Sequence, residues 1–151
     1  MADFATLTLD RDIACTPARL FRVMTDRELR QTWSEPNDES VLIIDEYDCR
    51  PGGREEIRCG PKEAPEFRTT GLFHVVTPEF LSLTDMLIVN EELVSVSLCG
   101  HEIAEGPKGS TLCVTLQITS LAGADLFDEY RGGWSAAVDS LSKLASEPEP
   151  S

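Results

Sequence analysis

Apolar and polar residues alternate along most of this chain, and the alternation changes period only near the two ends. In "FATLTLDRDI", Ala5, Leu7 and Leu9 fall on one side and Thr6, Thr8 and Asp10 on the other, the period of two of a half-buried strand. Thr16 then stands where a helix N-cap belongs, with Pro17 at the first helical position, and Leu20, Phe21 and Met24 share one face of the helix that follows. Asp26 caps a second short helix, "RELRQTW", whose Leu29 and Trp33 lie four apart. Residues 41–119 then read as strand after strand: "VLIIDEY", "REEIRC", "FRTTGLFHVV", "FLSLTDMLIV", "LVSVSLCG" and "TLCVTLQITS". Short joints such as "RPGG", "TPE", "NEE" and "EGPKGS" separate them, and joints of that length favour antiparallel neighbours. In the "RPGG" turn, Gly52 and Gly53 are both expected at positive φ, setting the register of the hairpin.

The last periodic stretch returns to helical spacing, with Phe127, Tyr130, Trp134, Val138, Leu141 and Leu144 recurring every three to four residues. Gly132 and Gly133 sit inside it, where each costs about 0.5 to 1 kcal/mol relative to Ala. Either a break in the helix or a close approach to the sheet is therefore expected there. One long helix covers one face of a sheet, so the pattern predicts an α+β fold: seven antiparallel strands curved around the C-terminal helix, with two short helices after the first strand. A single domain is expected over residues 1–145, and the proline-rich and charged tail, 146–151, is expected to be disordered.

Charge narrows the choice of partners. Thirteen Lys and Arg against 27 Asp and Glu give a net charge of -14, which repels phosphate backbones and anionic lipid surfaces, so neither nucleic acid nor membrane is expected. No apolar run is long enough to cross a bilayer, and the acidic start lacks the pattern of a secretory signal. Five cysteines without a CxxC pair read as reduced thiols, which points to the cytoplasm.

Catalytic patterns are weak. Ser135 in "GGWSA" lacks the nucleophile elbow. His74 and His101 have no partner at metal spacing, Glu55 and Glu56 point to opposite sides of a strand, and "PGG" precedes a strand instead of a helix. No catalytic residue, metal or cofactor is therefore assigned. The space between a curved sheet and its helix remains as the candidate site. Its expected lining is Phe21, Trp33, Tyr47, Phe73, Val75, Met86, Val96, Leu116, Tyr130, Trp134 and Val138, with His74 as a polar handle.

The order "TPARLFRVMTD", "LRQTW", "RPGG", "TGLFHVVTPEFLSLT", "GSTLCVTLQ" and "GGWSAAVDSLSKL" resembles the START-like (SRPBCC) superfamily from about residue 6 to 145. Within it the chain is most similar to the branch named for the activator of heat-shock protein 90 ATPase homologues. The resemblance implies a helix-grip fold with a hydrophobic cavity that binds a small apolar or amphipathic molecule. It leaves open a cyclase or hydrolase working in the same cavity, a chaperone-linked interaction module, and a homodimer. Two departures imply a pocket of different chemistry: Arg54, Glu55 and Glu56 follow Gly53 where relatives often carry an aromatic, and "LSLTDMLIVN" has no Trp. The chain also has no spare length for the chaperone-binding segment of eukaryotic activators.

Overall fold

The structure, a computed structural model, describes residues 2–34, 40–61, 63 and 66–148. Strand β1 (Asp3–Ile13) leads into helices α1 (Pro17–Thr25) and α2 (Arg27–Ser34), and six strands follow: β2 (Ser40–Tyr47), β3 (Arg54–Pro61), β4 (Phe67–Thr77), β5 (Phe80–Val89), β6 (Glu92–Gly106) and β7 (Gly109–Ser120). Helix α3 (Leu126–Ala145) closes the chain. The strands form one antiparallel sheet in the order β1-β7-β6-β5-β4-β3-β2, the helix-grip arrangement expected from the sequence. Strand β6 runs to Gly106, beyond the "LVSVSLCG" stretch, because residues 101–106 keep pairing with β7 down to Gly109. Of the tail expected to be disordered, residues 149–151 lie outside the described residues. Among the described residues, no helix is long and apolar enough to cross a membrane.

Local chemistry sets the helix starts. The Thr16 side chain accepts a hydrogen bond from the Arg19 backbone N–H at 3.2 Å, and the Asp26 carboxylate accepts one from Leu29 N–H at 3.1 Å. Leu20, Val23 and Met24 thereby face the sheet, where they join Leu112, Val114 and Leu116 of β7 and Val138 and Leu141 of α3 in the core. The far end of α3 is tied down by Arg19, whose guanidinium donates to the carbonyls of Leu144 (3.3 Å), Ala145 (3.0 Å) and Glu147 (3.1 Å). A cation on the last free carbonyls satisfies them and complements the helix dipole.

Two glycine expectations change. Helix α3 runs unbroken through Gly132 and Gly133, both exposed, and a Cβ on either would meet open space, so neither a break nor a close approach accounts for them. Alanine at each position is expected to raise stability by about 0.5 to 1 kcal/mol, read as a higher urea midpoint at an unchanged slope. In the hairpin turn only Gly52 has positive φ, at 83°; Gly53 is required because a Cβ there would lie 1.9 Å from the Asp48 carbonyl oxygen. That tight turn also reaches β4: Gly52 N–H donates to the Phe73 carbonyl at 2.8 Å, and Phe73 N–H donates to the Gly53 carbonyl at 2.9 Å.

Candidate functional site

The strand register builds a polar floor inside the grip. Reading across the concave face, Glu55 of β3 stands opposite Gly71 of β4, Gly71 opposite Asp85 of β5, and Asp85 opposite Ser97 of β6. The neighbouring rows pair Phe73 with Leu83 and Leu83 with Cys99, and then Leu81 with His101. Gly71 keeps the first row open, since a Cβ on it would come within 3.2 Å of a Leu83 methyl and 3.4 Å of a Glu55 carboxylate oxygen. Above this floor, Met24, Trp33, Tyr47 and Trp134 form the walls and roof of an internal cavity of about 50 Å³. That space is large enough for a few water molecules.

Its charges are arranged asymmetrically. Arg30 reaches in from α2, places a guanidinium nitrogen 3.2 Å from the buried Glu55 carboxylate, and stacks its guanidinium 4.7 Å from the centre of the Trp33 ring. Trp33 is fixed in turn by its indole N–H, which donates to the Val23 carbonyl at 2.9 Å. Tyr47 donates its hydroxyl to the Thr25 carbonyl at 2.6 Å and meets Phe73 edge to face at 6.0 Å. Asp85 has no such answer. Its Oδ1 is sealed from solvent and has no hydrogen-bond partner, the one such side-chain atom among the described residues. Burial, reinforced by the neighbouring Glu55, pushes its carboxyl up to about 8, so at neutral pH it carries a proton.

The remaining groups are held uncharged. Burial drives His101 down to about 4, and its Nδ1 lies 3.3 Å from the Leu81 carbonyl, so Nδ1–H is the donor and Nε2 the free acceptor of a neutral ring. That ring tilts against Trp134 at 5.6 Å. Burial pushes the Cys99 thiol up to about 12, which makes it a poor nucleophile. Toward the start of α3, Tyr130 and Ser95 share a hydrogen bond at 2.6 Å. Among the described residues, no group of three or more His, Cys, Asp and Glu is placed to hold a metal ion. The arrangement can offer a hydrogen bond or a proton from Asp85 and accept one at His101.

Of the residues expected to line this space, Trp33, Tyr47, Phe73 and Trp134 stand at the cavity. Tyr130 lies beside it through Ser95, and Phe21, Leu116 and Val138 belong to the surrounding core. Val75, Met86, Val96 and His74 face the other way, on the convex side of the sheet. A bulge at His74 resets the alternation, so Phe73 points in, Val75 is exposed and Val76 points in again; His74 meets the Thr84 hydroxyl at 3.0 Å on the outer face. In β5 and β6 the parity runs against the apolar pattern: Met86 pairs with Val96 outside, while Asp85 pairs with Ser97 inside. Val96 accordingly borders a shallow, open depression on the convex surface together with Phe4, Leu98 and Gln117.

Arg30, Glu55, Asp85, Cys99 and His101 are the site residues that hydrophobic pattern alone does not find. The one signal for any of them is the acidic pair after Gly53. The cavity is accordingly mixed in character, with aromatic walls over a polar floor.

Comparison with known proteins fits this architecture. Solved structures of like fold include an uncharacterized protein from Rhizobium leguminosarum (TM-score 0.86, 21% identity, 96% of each chain covered). Two others come from Rhizobium loti (0.83, 22%, covering 95% of this chain and 98% of that one) and Chromobacterium violaceum (0.82, 19%, 95% and 99%). At these identities the likeness is one of fold. No curated protein matches the chain. The family model described as "Activator of Hsp90 ATPase homolog 1-like protein" matches residues 14–146, and the chain belongs to that family.

Proposed function

We propose that this protein binds a small amphipathic molecule in the cavity between the sheet and α3, its apolar part against the aromatic walls and its polar part on the floor. The observation that supports this most is the orphaned Oδ1 of Asp85. Burying a polar atom without a partner costs about 1 to 3 kcal/mol. A group kept at such a cost in a space with room beside it is what a binding site requires.

The test is a thermal-shift and native mass spectrometry screen of small amphipathic compounds, followed by titration of Trp33 and Trp134 fluorescence. Binding is expected to weaken at least tenfold in Gly71→Ala, which narrows the floor between Glu55 and Asp85. Equal binding by Gly71→Ala would put the ligand elsewhere and sink the reading.

A second reading, a proton-transfer enzyme in the same cavity, is favoured by the same side chain. Asp85 holds its proton near neutral pH inside a closed space, as a general acid must. His74 is removed from this reading by its place on the outer face.

A further inference from the structure

The proposal concerns the chemical class of the ligand and rests on the reading of the cavity as a binding site. The groups that face Asp85 come from four elements: Glu55 and, from the outer side, Glu56 on β3, Arg30 on α2, Cys99 on β6 and Tyr130 on α3. Arg30 is the cation of this set, and its guanidinium is already engaged by the Glu55 carboxylate and the Trp33 ring. One guanidinium therefore faces two carboxyl groups. An anionic ligand would find the one guanidinium already engaged. A purely apolar one would leave Oδ1 unanswered.

A monocation completes the count once Asp85 gives up its proton, because it balances the carboxylate that results. Three further features favour it. Its N–H groups supply donors to Oδ1; the lining is aromatic, with Trp33, Tyr47, Phe73 and Trp134, a residue class that attracts ammonium groups; and the net charge of -14 enriches cations around the protein. Gly71, which has no side chain, stands between Glu55 and Asp85 in the row across the sheet. We infer that the cavity receives a small primary ammonium group, held as an ion pair by Asp85 with Glu55 and the aromatic walls around it.

The proton balance follows. A free alkylamine is already protonated at neutral pH, with a pKa of about 10.4 for the side chain of Lys. The Asp85 carboxyl also carries its proton there. On binding, the ammonium keeps its three protons, Asp85 releases one to the buffer, and an N–H donor replaces it at the carboxylate; no bond to carbon forms or breaks. Affinity therefore rises about tenfold per pH unit up to about 8, where Asp85 is already ionised, and levels off above that.

Ethylammonium chloride is the probe, with ethanol and propionate of similar size as comparisons and sodium chloride holding ionic strength constant. Titrations follow Trp fluorescence at pH 6, 7, 8 and 9, and proton release is measured in weakly buffered solution at pH 7. Expected are saturable binding of ethylammonium in the millimolar range, release of close to one proton, the stated rise from pH 6 to 8, and at least tenfold weaker binding to Asp85→Asn. Ethanol binding as well as ethylammonium, or a flat pH profile in the unmodified protein, would overturn the ammonium assignment and leave the binding cavity standing. Failure of all three probes to perturb either Trp would overturn both.

Discussion

Replacing Arg30 with Met is expected to destabilise the protein by about 3 kcal/mol or more, a fall in Tm of roughly 6 to 12 °C for a chain of this size. The residue sits on α2 with only a fifth of its side chain exposed, and it supplies the guanidinium that faces Glu55, itself 4% exposed. Met fills most of the volume and keeps contact with Trp33. It leaves the carboxylate in a closed space beside Asp85 with no counter-ion, and an uncompensated buried charge is among the few single changes that cost this much. The converse change is expected to cost less. In Glu55→Gln the arginine retains the Ser34 hydroxyl, the Trp33 ring and some access to water, so a loss of about 1 kcal/mol follows. Urea unfolding of the two single variants and of the Arg30→Met/Glu55→Gln double variant measures the coupling. The double variant is expected to recover most of what Arg30→Met alone loses, and additive losses would show that the pair is not coupled.

How far the sequence reveals this molecule depends on which question is put to it. Thr16-Pro17 and Asp26 announce two helix starts because caps act locally, through bonds reaching three residues along the chain. The alternation of Leu112, Val114, Leu116 and Ile118 marks β7 because one face there is fully apolar and buried. In β6 the same rule finds the strand and mistakes its face. Val94, Val96 and Leu98 form the apolar set, yet Ser95, Ser97, Cys99 and His101 point inward, since register is fixed by the neighbours on both sides and not by the strand's own composition. A period of two identifies two faces without saying which meets the core. The usual tie-breaker, that polar residues face water, fails where the interior is polar for a reason. Asp85 and Met86 illustrate the same inversion on β5, and the bulge at His74 hides it on β4.

Local reading also misses pairings made across the fold. Arg30 lies three residues before Trp33 on α2, and Glu55 is one of two acidic residues on opposite sides of a strand; nothing local links the two. Only the packing of α2 over the edge of the sheet brings them within 3.2 Å. Alternation puts Glu55 and Glu56 on opposite sides of the strand, and it shows neither which of them faces inward nor what partner it meets. The glycine pair in α3 is of another kind, since neither a break nor a close approach is found and nothing in the structure explains its presence.

Asp85→Asn is expected to abolish a loss of stability that the unmodified protein shows between about pH 6.5 and 8. In the folded chain the carboxyl stays protonated up to about 8, whereas in the unfolded chain it ionises near 4. Folding therefore takes up a proton throughout that interval. The stabilisation tied to this proton is complete below about 4 and is lost as the pH rises toward 8, with a slope of up to about 1.4 kcal/mol per pH unit. His101 acts in the opposite sense. It is neutral in the fold down to about 4 and protonated below about 6.5 when unfolded, so its contribution is present above 6.5 and lost as the pH falls. The two slopes offset each other between 4 and 6.5, and Asp85 contributes the larger part from 6.5 to 8, roughly 2 kcal/mol, with the cysteine thiols, whose pKa values the fold raises, adding in the same sense toward the upper end. Asn keeps the shape of the side chain and carries no ionisable proton. Urea unfolding across pH 5 to 9 should thus show the variant overtaking the unmodified protein above neutrality, while below 6.5 the rise due to His101 becomes visible in the variant alone. Parallel curves from 6.5 to 8 would mean that Asp85 is ionised in the folded protein, and that the sealed carboxyl at the cavity floor is open to water.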